Sequence, residues 1–389
     1  MLLPILLALP WILFPVLLAT VVRRRPLLAE WEPVRDAGAA LVSVVVPARN
    51  EAHNIGTCVR SLLRTEYPNC EIVVVDDGSE DATSAIVEEF ARADPRVRLV
   101  RGEPLPQGWF GKPWACTQGA AIARGEYLLF TDADVVHEPE LVGRSVRALK
   151  AEGAALLTVL PRQILLGFWE RLIMPQVLCL ILLRYPDPER VNRSPRERDK
   201  IANGQYILVR RSVYEVVGGH GAVRHEVAED LRLAHRFHRL GHRVLLVVAD
   251  RFMSVRMYDS LAGIVEGWSK NVAIAARQTV PRAMRPLTPW LLVLWLLVLW
   301  VVPPVVLALG FAGIVSAAAW LWSALACGMA LLFWVLVNRR LEAPLWYALL
   351  FPLGAAFAAG VFLKSVLQGN RVRWKGRAYH AVAHRNRVP

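Results

Sequence analysis

Apolar residues gather in uncharged blocks near both ends of the chain. Residues 2–22 carry no charge and are followed at once by Arg23, Arg24 and Arg25. A helix needs about 20 apolar residues to cross a bilayer, and basic residues favour the cytoplasmic side. A cleavable signal peptide would instead carry its positive charge before the apolar run. The pattern therefore predicts a transmembrane anchor over residues 1–25.

A second uncharged block, residues 289–337, is too long for one span and predicts two helices that turn near residues 310–313. A third apolar segment covers residues 344–363. If it crosses the membrane, the basic tail that follows lies on the side opposite to the cytoplasm, against the positive-inside tendency. A re-entrant or in-plane segment around Pro352 and Gly354 would remove this conflict. The sequence leaves both arrangements open.

Between these blocks, strand-like runs alternate with stretches whose apolar residues recur every three or four positions. This alternation predicts an α/β fold, with a parallel sheet covered by helices on both faces. The predicted strands lie at residues 41–46, 71–75, 97–100 and 127–131. The predicted helices lie at residues 54–64, 83–93 and 114–124.

Polar clusters follow three of the predicted strands, at residues 47–51, 76–81 and 132–134. Open α/β sheets bind ligands at the carboxyl ends of their strands. The chain has no GxGxxG turn and no P-loop, which disfavours a dinucleotide dehydrogenase or a P-loop ATPase. Acid-rich strand ends instead favour a divalent cation that holds the two phosphates of a nucleoside diphosphate.

The net charge of +13 raises the question of nucleic acid binding. The basic residues lie beside the apolar segments, where anionic lipid headgroups attract them, so we interpret them as membrane-surface charge. The five cysteines include no CxxC pair, and neither a zinc site nor a disulfide framework is predicted. A reduced, cytoplasmic catalytic face fits this composition.

Two acidic motifs carry a family resemblance. The run Asp76-Asp77-Gly78-Ser79 precedes Asp81 and Thr83, and Asp132-Ala133-Asp134 follows a later apolar strand. Together they resemble family 2 glycosyltransferases of the GT-A fold, a Rossmann-like nucleotide-diphospho-sugar transferase domain. The resemblance covers most of residues 41–241. An Asp-x-Asp pair alone is common in solvated turns, so the order and setting of the motifs carry this inference.

The resemblance implies a nucleotide-sugar donor site with Mn²⁺ or Mg²⁺. At the nucleoside, Pro47, Arg49 and Glu51 would border the base, and Asp77 would contact uracil or ribose. At the metal, Asp132 would lie against ribose and metal, and Asp134 would ligate the metal. Lys112 would lie close to the donor. A solvated loop lysine is the alternative for Lys112.

Glycosyl transfer without a covalent intermediate needs a base for the acceptor hydroxyl, and a carboxylate is the usual choice. Glu229-Asp230 precedes a helical run at residues 231–240 and resembles the family's Glu-Asp motif, in which the Asp is the base. An ordinary first-turn carboxylate, favoured by the helix dipole, is the alternative. The acceptor side is expected to include Gly204, Gln205, Gly219, His220, Glu229, Trp268 and Lys270. A hydrogen-bonded structural role is the alternative for His220.

Two stretches suit the membrane interface, residues 167–184 and 261–277, because both are apolar but too short or too mixed to span. Buried core helices are the competing interpretation. Processive polysaccharide synthases carry Gln-x-x-Arg-Trp on such a helix, whereas residues 266–271 are Glu-Gly-Trp-Ser-Lys-Asn here. This departure favours transfer of a single sugar. Inversion at the anomeric carbon is expected separately, because the transfer has no covalent intermediate.

Four longer stretches resemble a particular group of enzymes within this family. Residues 108–116, 256–258, 266–270 and 374–379 resemble the diaponeurosporenoate glucosyltransferases of carotenoid synthesis, and hopanoid-associated and chlorobactene-type glycosyltransferases are similar. The resemblance implies a hexose, with UDP-glucose as the expected donor, and a terpenoid lipid acceptor. Residues 374–379 are equally compatible with a basic, aromatic interface anchor.

The sequence thus predicts a multi-pass enzyme of the cytoplasmic membrane whose catalytic domain faces the cytoplasm. A polyprenyl-phosphate or glycerolipid glycosyltransferase is the alternative, and a scaffold with a degenerate site would require loss of acidic motif residues that are all present. The expected parts are an anchor at 1–25, a GT-A domain at 41–260, an interfacial helix at 261–285, membrane segments at 289–367 and a basic tail at 368–389.

Overall fold

The structure is a computed structural model that describes residues 2–20, 26–369 and 371–380. The chain forms two compact units. The α/β unit contains the described residues of 24–163, 188–257 and 370–389, and the helical unit contains those of 1–23, 164–187 and 258–369.

The strands of the described residues are short, as expected for a sheet whose faces are both covered. They are β1 (Val42–Ala48), β2 (Cys70–Asp76), β3 (Val97–Arg101), β4 (Tyr127–Thr131), β5 (Val135–His137), β6 (Leu156–Leu160), β7 (Arg162–Gln163), β8 (Tyr206–Arg210), β9 (Val244–Val248), β10 (Met253–Val255), β11 (Arg371–Trp374) and β12 (Arg377–His380).

The α-helices lie between and after these strands. They are α1 (Leu2–Leu7), α2 (Leu9–Thr20), α3 (Ile55–Leu63), α4 (Thr83–Ala93), α5 (Gly111–Ile122), α6 (Leu141–Ala151), α7 (Phe168–Arg184), α8 (Pro188–Arg193), α9 (Arg211–Val216), α10 (Glu229–Arg239), α11 (Leu261–Gln278), α12 (Thr288–Leu296), α13 (Val302–Phe311), α14 (Ala317–Arg340) and α15 (Phe351–Gln368).

The central sheet has seven strands in the order β3-β2-β1-β4-β8-β6-β9. Strands β3, β2, β1 and β4 are parallel, but β8 runs antiparallel to both of its neighbours. The expectation of an all-parallel sheet is therefore wrong at β8. A smaller sheet, in the order β5-β10-β7, adds one antiparallel and one parallel pair.

Both faces of the central sheet are buried, because the side chains of a strand alternate between the two faces. On β1, Val44 and Val46 belong to one apolar cluster and Val45 belongs to the cluster on the opposite face. Helices α3, α4 and α6 contribute to the first cluster, and α5 and α10 contribute to the second. This burial explains why β1 and β2 are continuous apolar runs in the sequence.

The helical unit contains three helical segments that are long and apolar enough to cross a membrane: residues 288–311, 317–340 and 345–368. The first includes a π-helical turn, Leu297–Val301, between α12 and α13, and the third begins with a 3₁₀ turn, Leu345–Leu350. The predicted turn near residues 310–313 is present. Near the N-terminus, α2 is a shorter apolar helix, and Arg23 to Arg25 of the predicted anchor lie outside the described residues.

Polar groups and small residues join the helices of this unit. The Trp11 indole donates to the carbonyl oxygen of Leu299 at 2.7 Å. Gly354 of α15 lies against α7, where an added Cβ would come within 2.4 Å of the Leu172 carbonyl oxygen. Gln176 of α7 donates to the Phe351 carbonyl oxygen at 3.3 Å. The close approach of α7 and α15 therefore depends on a glycine.

Candidate active site

The polar clusters of the sequence meet at one edge of the central sheet. Strand β1 lies between β2 and β4, and its last residue, Ala48, is in register with Asp76 at the end of β2. Because the three strands are parallel, the residues that follow them leave the sheet on the same side. This edge is the candidate active site.

Arg49 ties the first two clusters together. Its Nη1 donates to the carbonyl oxygens of Asp77 and Gly78, each at 2.7 Å. The Glu51 amide donates to Thr83 Oγ1 at 2.8 Å. The loop after β1 is therefore fixed to the loop after β2 and to the first turn of α4.

Asp77 is a buried carboxylate at this edge, with 6% of its surface exposed. Burial raises the pKa of its carboxyl group, and Arg377, whose Nη1 lies 2.5 Å from Asp77 Oδ2, opposes that shift. The neighbouring Asp76 has a structural role, because its Oδ1 accepts the Ser79 amide at 2.9 Å and its Oδ2 accepts Ser84.

Asp134 carries the feature that fits a cation. Its Oδ1 is buried and has no hydrogen-bond partner among the described residues. Burial, together with the carboxylates of Asp132 and Glu51, raises the pKa of Asp134 to about 8. A divalent ion would remove this penalty, because carboxylate oxygens are preferred ligands of hard cations. In the described part of the chain, no three His, Cys, Asp or Glu side chains form a ready metal cage, so a bound ion would need further ligands from substrate or water.

Lys112 connects the acidic strand end to α10. Its Nζ lies 2.6 Å from Asp132 Oδ1 and 3.3 Å from Glu229 Oε1. Burial works against its charge, but Asp132, Glu229 and Asp230 outweigh burial and raise the pKa of the ammonium well above its usual value. Lys112 is therefore a permanent cation between three carboxylates.

Asp230 stands at the start of α10, held by a neighbouring loop. Its Oδ2 accepts the Gly204 amide at 2.8 Å, and its Oδ1 accepts the Leu231 amide at 2.7 Å. An added Cβ on Gly204 would come within 2.7 Å of Lys112 Nζ, so a glycine allows the loop to approach both side chains. The structure thus brings together Lys112, Asp132, Gly204, Glu229 and Asp230.

Other predicted residues take supporting positions. Pro47 lies in β1, in register with Val75. The Gln205 side chain accepts Asn203 Nδ2 at 3.0 Å. Gly219 has a φ of +49°, and an added Cβ would come within 2.5 Å of the Tyr214 ring.

His220 is 98% buried, and its Nδ1 lies 2.9 Å from the Tyr214 hydroxyl. Burial, with a smaller contribution from Lys112, lowers the pKa of His220 to about 3. The ring is therefore neutral and unsuited to exchange protons near pH 7, which favours a structural role.

Trp268 and Lys270 lie on α11 and belong to the helical unit, whereas the residues above belong to the α/β unit. The Trp268 indole is directed at Met174 Sδ of α7, at 3.2 Å. The Ser260 hydroxyl caps α11 by accepting the Gly263 amide at 3.2 Å.

The C-terminal strands contribute residues that the sequence did not assign to the site. Besides Arg377, the site contacts Lys375, whose Nζ pairs with Glu51, and Tyr379, whose ring stacks on Phe110 with centroids 4.6 Å apart. The resemblance of residues 374–379 to a family motif was a signal for them, but it did not indicate what they contact.

Comparisons with known proteins find similar sequences and a similar fold. The family model of Glycosyl transferase family 2 matches residues 43–218. A 4,4'-diaponeurosporenoate glycosyltransferase of Staphylococcus haemolyticus is 27% identical over 255 residues, 64% of this chain and 66% of the relative. The Staphylococcus aureus MRSA252 protein of that name is 26% identical over 257 residues, 64% of this chain and 65% of the relative. The matches thus span slightly less than two thirds of these relatives.

A solved mannosyltransferase from Pyrobaculum calidifontis, in complex with GDP-Man and Mn²⁺, has a TM-score of 0.54 at 18% identity. The match covers 94% of this chain and 97% of that one.

The fold defines the class of protein only at the level of architecture: the α/β unit has the fold of that solved mannosyltransferase. Within that architecture, residues 43–218 are similar to glycosyl transferase family 2, whose model they match.

Proposed function

We propose that this protein is a membrane-bound, metal-dependent glycosyltransferase that moves a hexose from a nucleotide-sugar to a terpenoid lipid. The observation that carries the proposal is the meeting of Asp132, Glu229 and Asp230 around Lys112, whose Nζ lies 2.6 Å from Asp132 and 3.3 Å from Glu229. This arrangement supplies a place for a charged donor and, beside it, a carboxylate directed at a second substrate.

For the donor, we propose that Asp77 binds the base or ribose, with Pro47, Arg49 and Glu51 beside it. Asp134, through its buried and unpartnered Oδ1, would hold Mn²⁺ or Mg²⁺ together with Asp132. When bound, such an ion would stabilise the negative charge that develops on the leaving diphosphate. UDP-glucose is the proposed donor.

For the chemistry, Asp230 is the proposed base. The acceptor oxygen attacks the anomeric carbon as the bond from that carbon to the diphosphate breaks, and the electron pair leaves with the nucleoside diphosphate. A hydroxyl acceptor passes its proton to Asp230, which the Gly204 amide orients. One displacement inverts the anomeric configuration. Lys112 stays protonated throughout and balances the nearby carboxylates.

For the acceptor, two observations favour a terpenoid lipid. The three long apolar segments suit a membrane, where such a lipid dissolves. The names of the two Staphylococcus relatives contain diaponeurosporenoate, and the ending of that word denotes a carboxylate. We propose an acceptor of the carotenoid or hopanoid type, met on the cytoplasmic side of the cell membrane, with Trp268 and Lys270 on an interfacial α11.

The proposal is tested with purified full-length protein in detergent. UDP-glucose and GDP-mannose are offered in turn with terpenoid acids, terpenoid alcohols, polyprenyl phosphate and diacylglycerol, with Mn²⁺, with Mg²⁺ and with EDTA. Metal-dependent appearance of a glycosylated terpenoid by mass supports the proposal. Sugar on polyprenyl phosphate or diacylglycerol alone contradicts the terpenoid acceptor, and no transfer to any acceptor contradicts the proposed activity.

A further inference from the structure

The chain ends its described part in a two-stranded hairpin, β11 and β12, that follows the last long apolar segment. Trp374 pairs with Arg377, so the turn consists of Lys375 and Gly376, both with positive φ, at 45° and 78°. Two-residue turns of this kind match the twist of a hairpin and fix its register. Lys375 is thereby held at the tip. We call residues 371–380 the C-terminal hairpin.

The tip of the C-terminal hairpin is bound to the loop after β1. Lys375 Nζ donates to the Arg49 carbonyl oxygen at 2.6 Å, and Arg49 Nε donates back to the Lys375 carbonyl oxygen at 3.3 Å. The same ammonium pairs with Glu51. The contact is therefore made by backbone and side chain together.

The second strand of the hairpin lies over Asp77 and the first turn of α5. Arg377 Nη1 pairs with Asp77 Oδ2 at 2.5 Å, and Nη2 donates to the Asp77 carbonyl oxygen at 3.2 Å. At Gly111, an added Cβ would come within 3.0 Å of Arg377 Nη1 and 3.2 Å of the Tyr379 hydroxyl. The hairpin thus approaches the backbone where α5 begins, and the Tyr379 ring covers Phe110.

The hairpin brings positive charge to an acidic edge of the central sheet. Glu51, Asp77, Asp132 and Asp134 would all repel the diphosphate of a donor. An arginine guanidinium binds phosphate oxygens with two parallel hydrogen bonds, and a lysine ammonium binds them as a point charge. The hairpin brings one of each to the edge that holds the donor motifs.

The hairpin can stay docked while its charges turn to a ligand. The hydrogen bond from Arg49 Nε to the Lys375 carbonyl oxygen does not use the charged groups of the hairpin. Lys375 and Arg377 each have further N–H groups besides the ones that donate to the carbonyl oxygens of Arg49 and Asp77. The hairpin's ion pairs with Glu51 and Asp77 are the contacts that a bound nucleotide would share.

We propose that the C-terminal hairpin is part of the donor site: Lys375 and Arg377 bind the donor's diphosphate, and Tyr379, packed on Phe110, closes the pocket over the nucleoside. This inference rests on the proposed function, since it assigns a place to the nucleotide-sugar. Lys375, Arg377 and Tyr379 would then bind the donor together with residues that lie some 300 positions earlier in the chain.

The test measures binding by titration calorimetry on the full-length protein in detergent, with Mn²⁺ and with UDP, GDP or inorganic pyrophosphate as the probe. The variants are Arg377→Met, Lys375→Met and Tyr379→Leu. Arg193→Met is the matched control, because that arginine is 79% exposed on α8 and pairs with Glu189, one turn earlier in the same helix. Thermal unfolding of each variant verifies that it is folded.

We expect Arg377→Met and Lys375→Met each to weaken binding of UDP and pyrophosphate by about tenfold or more, as for a lost hydrogen bond between charged groups. Tyr379→Leu should weaken UDP binding and leave pyrophosphate binding unchanged. Arg377→Lys, which keeps the charge, should bind UDP better than Arg377→Met.

Unchanged binding in Arg377→Met and Lys375→Met overturns the proposal, and tighter binding overturns it in favour of a hairpin that blocks the site. In both cases the wild-type protein still binds nucleotide, so the proposed function survives. Failure of the wild-type protein to bind either UDP or GDP with Mn²⁺ contradicts the proposed function and the hairpin proposal together.

Discussion

The two carboxylates proposed for metal binding and base catalysis have different surroundings. Asp134 has a buried oxygen without a hydrogen-bond partner in the described residues, whereas both Asp230 oxygens accept backbone amides. A buried carboxylate without donors is costly to ionise, and one held by amides is stabilised as an anion. The first therefore suits a cation, and the second suits a fixed base.

Asp134→Asn is expected to separate metal binding from stability. The amide keeps the size of the side chain and cannot ionise, so the unfolding temperature should stay the same or rise. Mn²⁺-dependent binding of UDP should weaken by more than about tenfold, because the ion loses an anionic ligand. Calorimetry with and without Mn²⁺ measures this, and the exposed Asp36→Asn serves as control. Normal Mn²⁺-dependent binding by Asp134→Asn would exclude Asp134 as a ligand.

Asp230→Asn is expected to distinguish acceptor classes. A terpenoid alcohol must lose a proton during transfer, and loss of a positioned base costs about 10²–10⁴-fold in rate. A terpenoid acid is already ionised at pH 7, so its transfer rate should fall much less. Initial rates with a matched alcohol and acid, at equal saturation with UDP-glucose, measure the difference. Equal loss with both acceptors would argue that Asp230 positions substrate and is not a base.

At the scale of elements, helix α5 joins the core to the site. Gly119 packs on the sheet, where an added Cβ would come within 2.4 Å of Val45 Cγ1 and 3.0 Å of Val75 Cγ2. Lys112 lies in the first turn of the same helix. A shift of α5 away from the sheet therefore moves the cation that holds Asp132.

Gly119→Ala is expected to destabilise the protein by about 1–3 kcal/mol, as overpacking of a close contact does. It should also reduce sugar transfer, because α5 moves. Gly56→Ala is the matched control: its Cβ would meet Ile86 Cγ2 at an ordinary 3.5 Å, and alanine favours a helix by up to about 1 kcal/mol. Thermal unfolding followed by tryptophan fluorescence compares the two. A Gly119→Ala protein as stable as Gly56→Ala would show that α5 can move away without cost.

Local pattern predicted the first half of the fold closely. Strands β1 to β4 and helices α3 and α4 begin and end within two residues of the predicted bounds, because buried parallel strands and amphipathic helices have distinct periods. The direction of β8 was not predictable in this way. The connection from β6 to β8 runs through residues 164–187 of the helical unit and then α8, and no local period determines the direction in which a strand returns.

The same limit applies to the site. The motifs identified Asp77, Asp132 and Asp134 as candidates because open α/β sheets bind ligands at the carboxyl ends of their strands. The resemblance to a family motif identified Asp230. Lys112 links Asp132 to Glu229, two residues that lie 97 positions apart in the chain. The pairing of Arg377 with Asp77 spans 300 positions. Contacts of this separation are set by the fold and cannot be inferred from periodicity.

At the scale of the whole molecule, the C-terminal hairpin constrains membrane topology. It pairs with Glu51 and Asp77, so it lies on the same side of a membrane as the α/β unit. If the helical unit lies in a membrane, the chain is therefore expected to cross that membrane an even number of times between residue 257 and residue 371. Three long apolar segments lie in that interval. If no other helix crosses, at least one of the three does not traverse the membrane.

Residues 345–368 are the segment expected not to cross. They begin with a 3₁₀ turn, and half of their most apolar stretch is buried within the protein. They also contain Gly354, which packs on α7. Helix α7 belongs to a segment that leaves the α/β unit and returns to it, so it also begins and ends on one side. Residues 288–311 and 317–340 would then form the crossing pair, with the turn near Ile314 on the far side.

This topology is tested with single cysteines in a background without the native ones, labelled in whole cells and in inverted vesicles by a membrane-impermeant maleimide. Asp36→Cys in the α/β unit, Glu342→Cys and a cysteine added after Pro389 should react from the same side, and Ile314→Cys should react from the opposite side. Reaction of the C-terminal cysteine from the side opposite to Asp36→Cys would contradict both the even number of crossings and the docked hairpin. Reaction of Glu342→Cys together with Ile314→Cys would keep the even number but assign the non-crossing segment to residues 317–340.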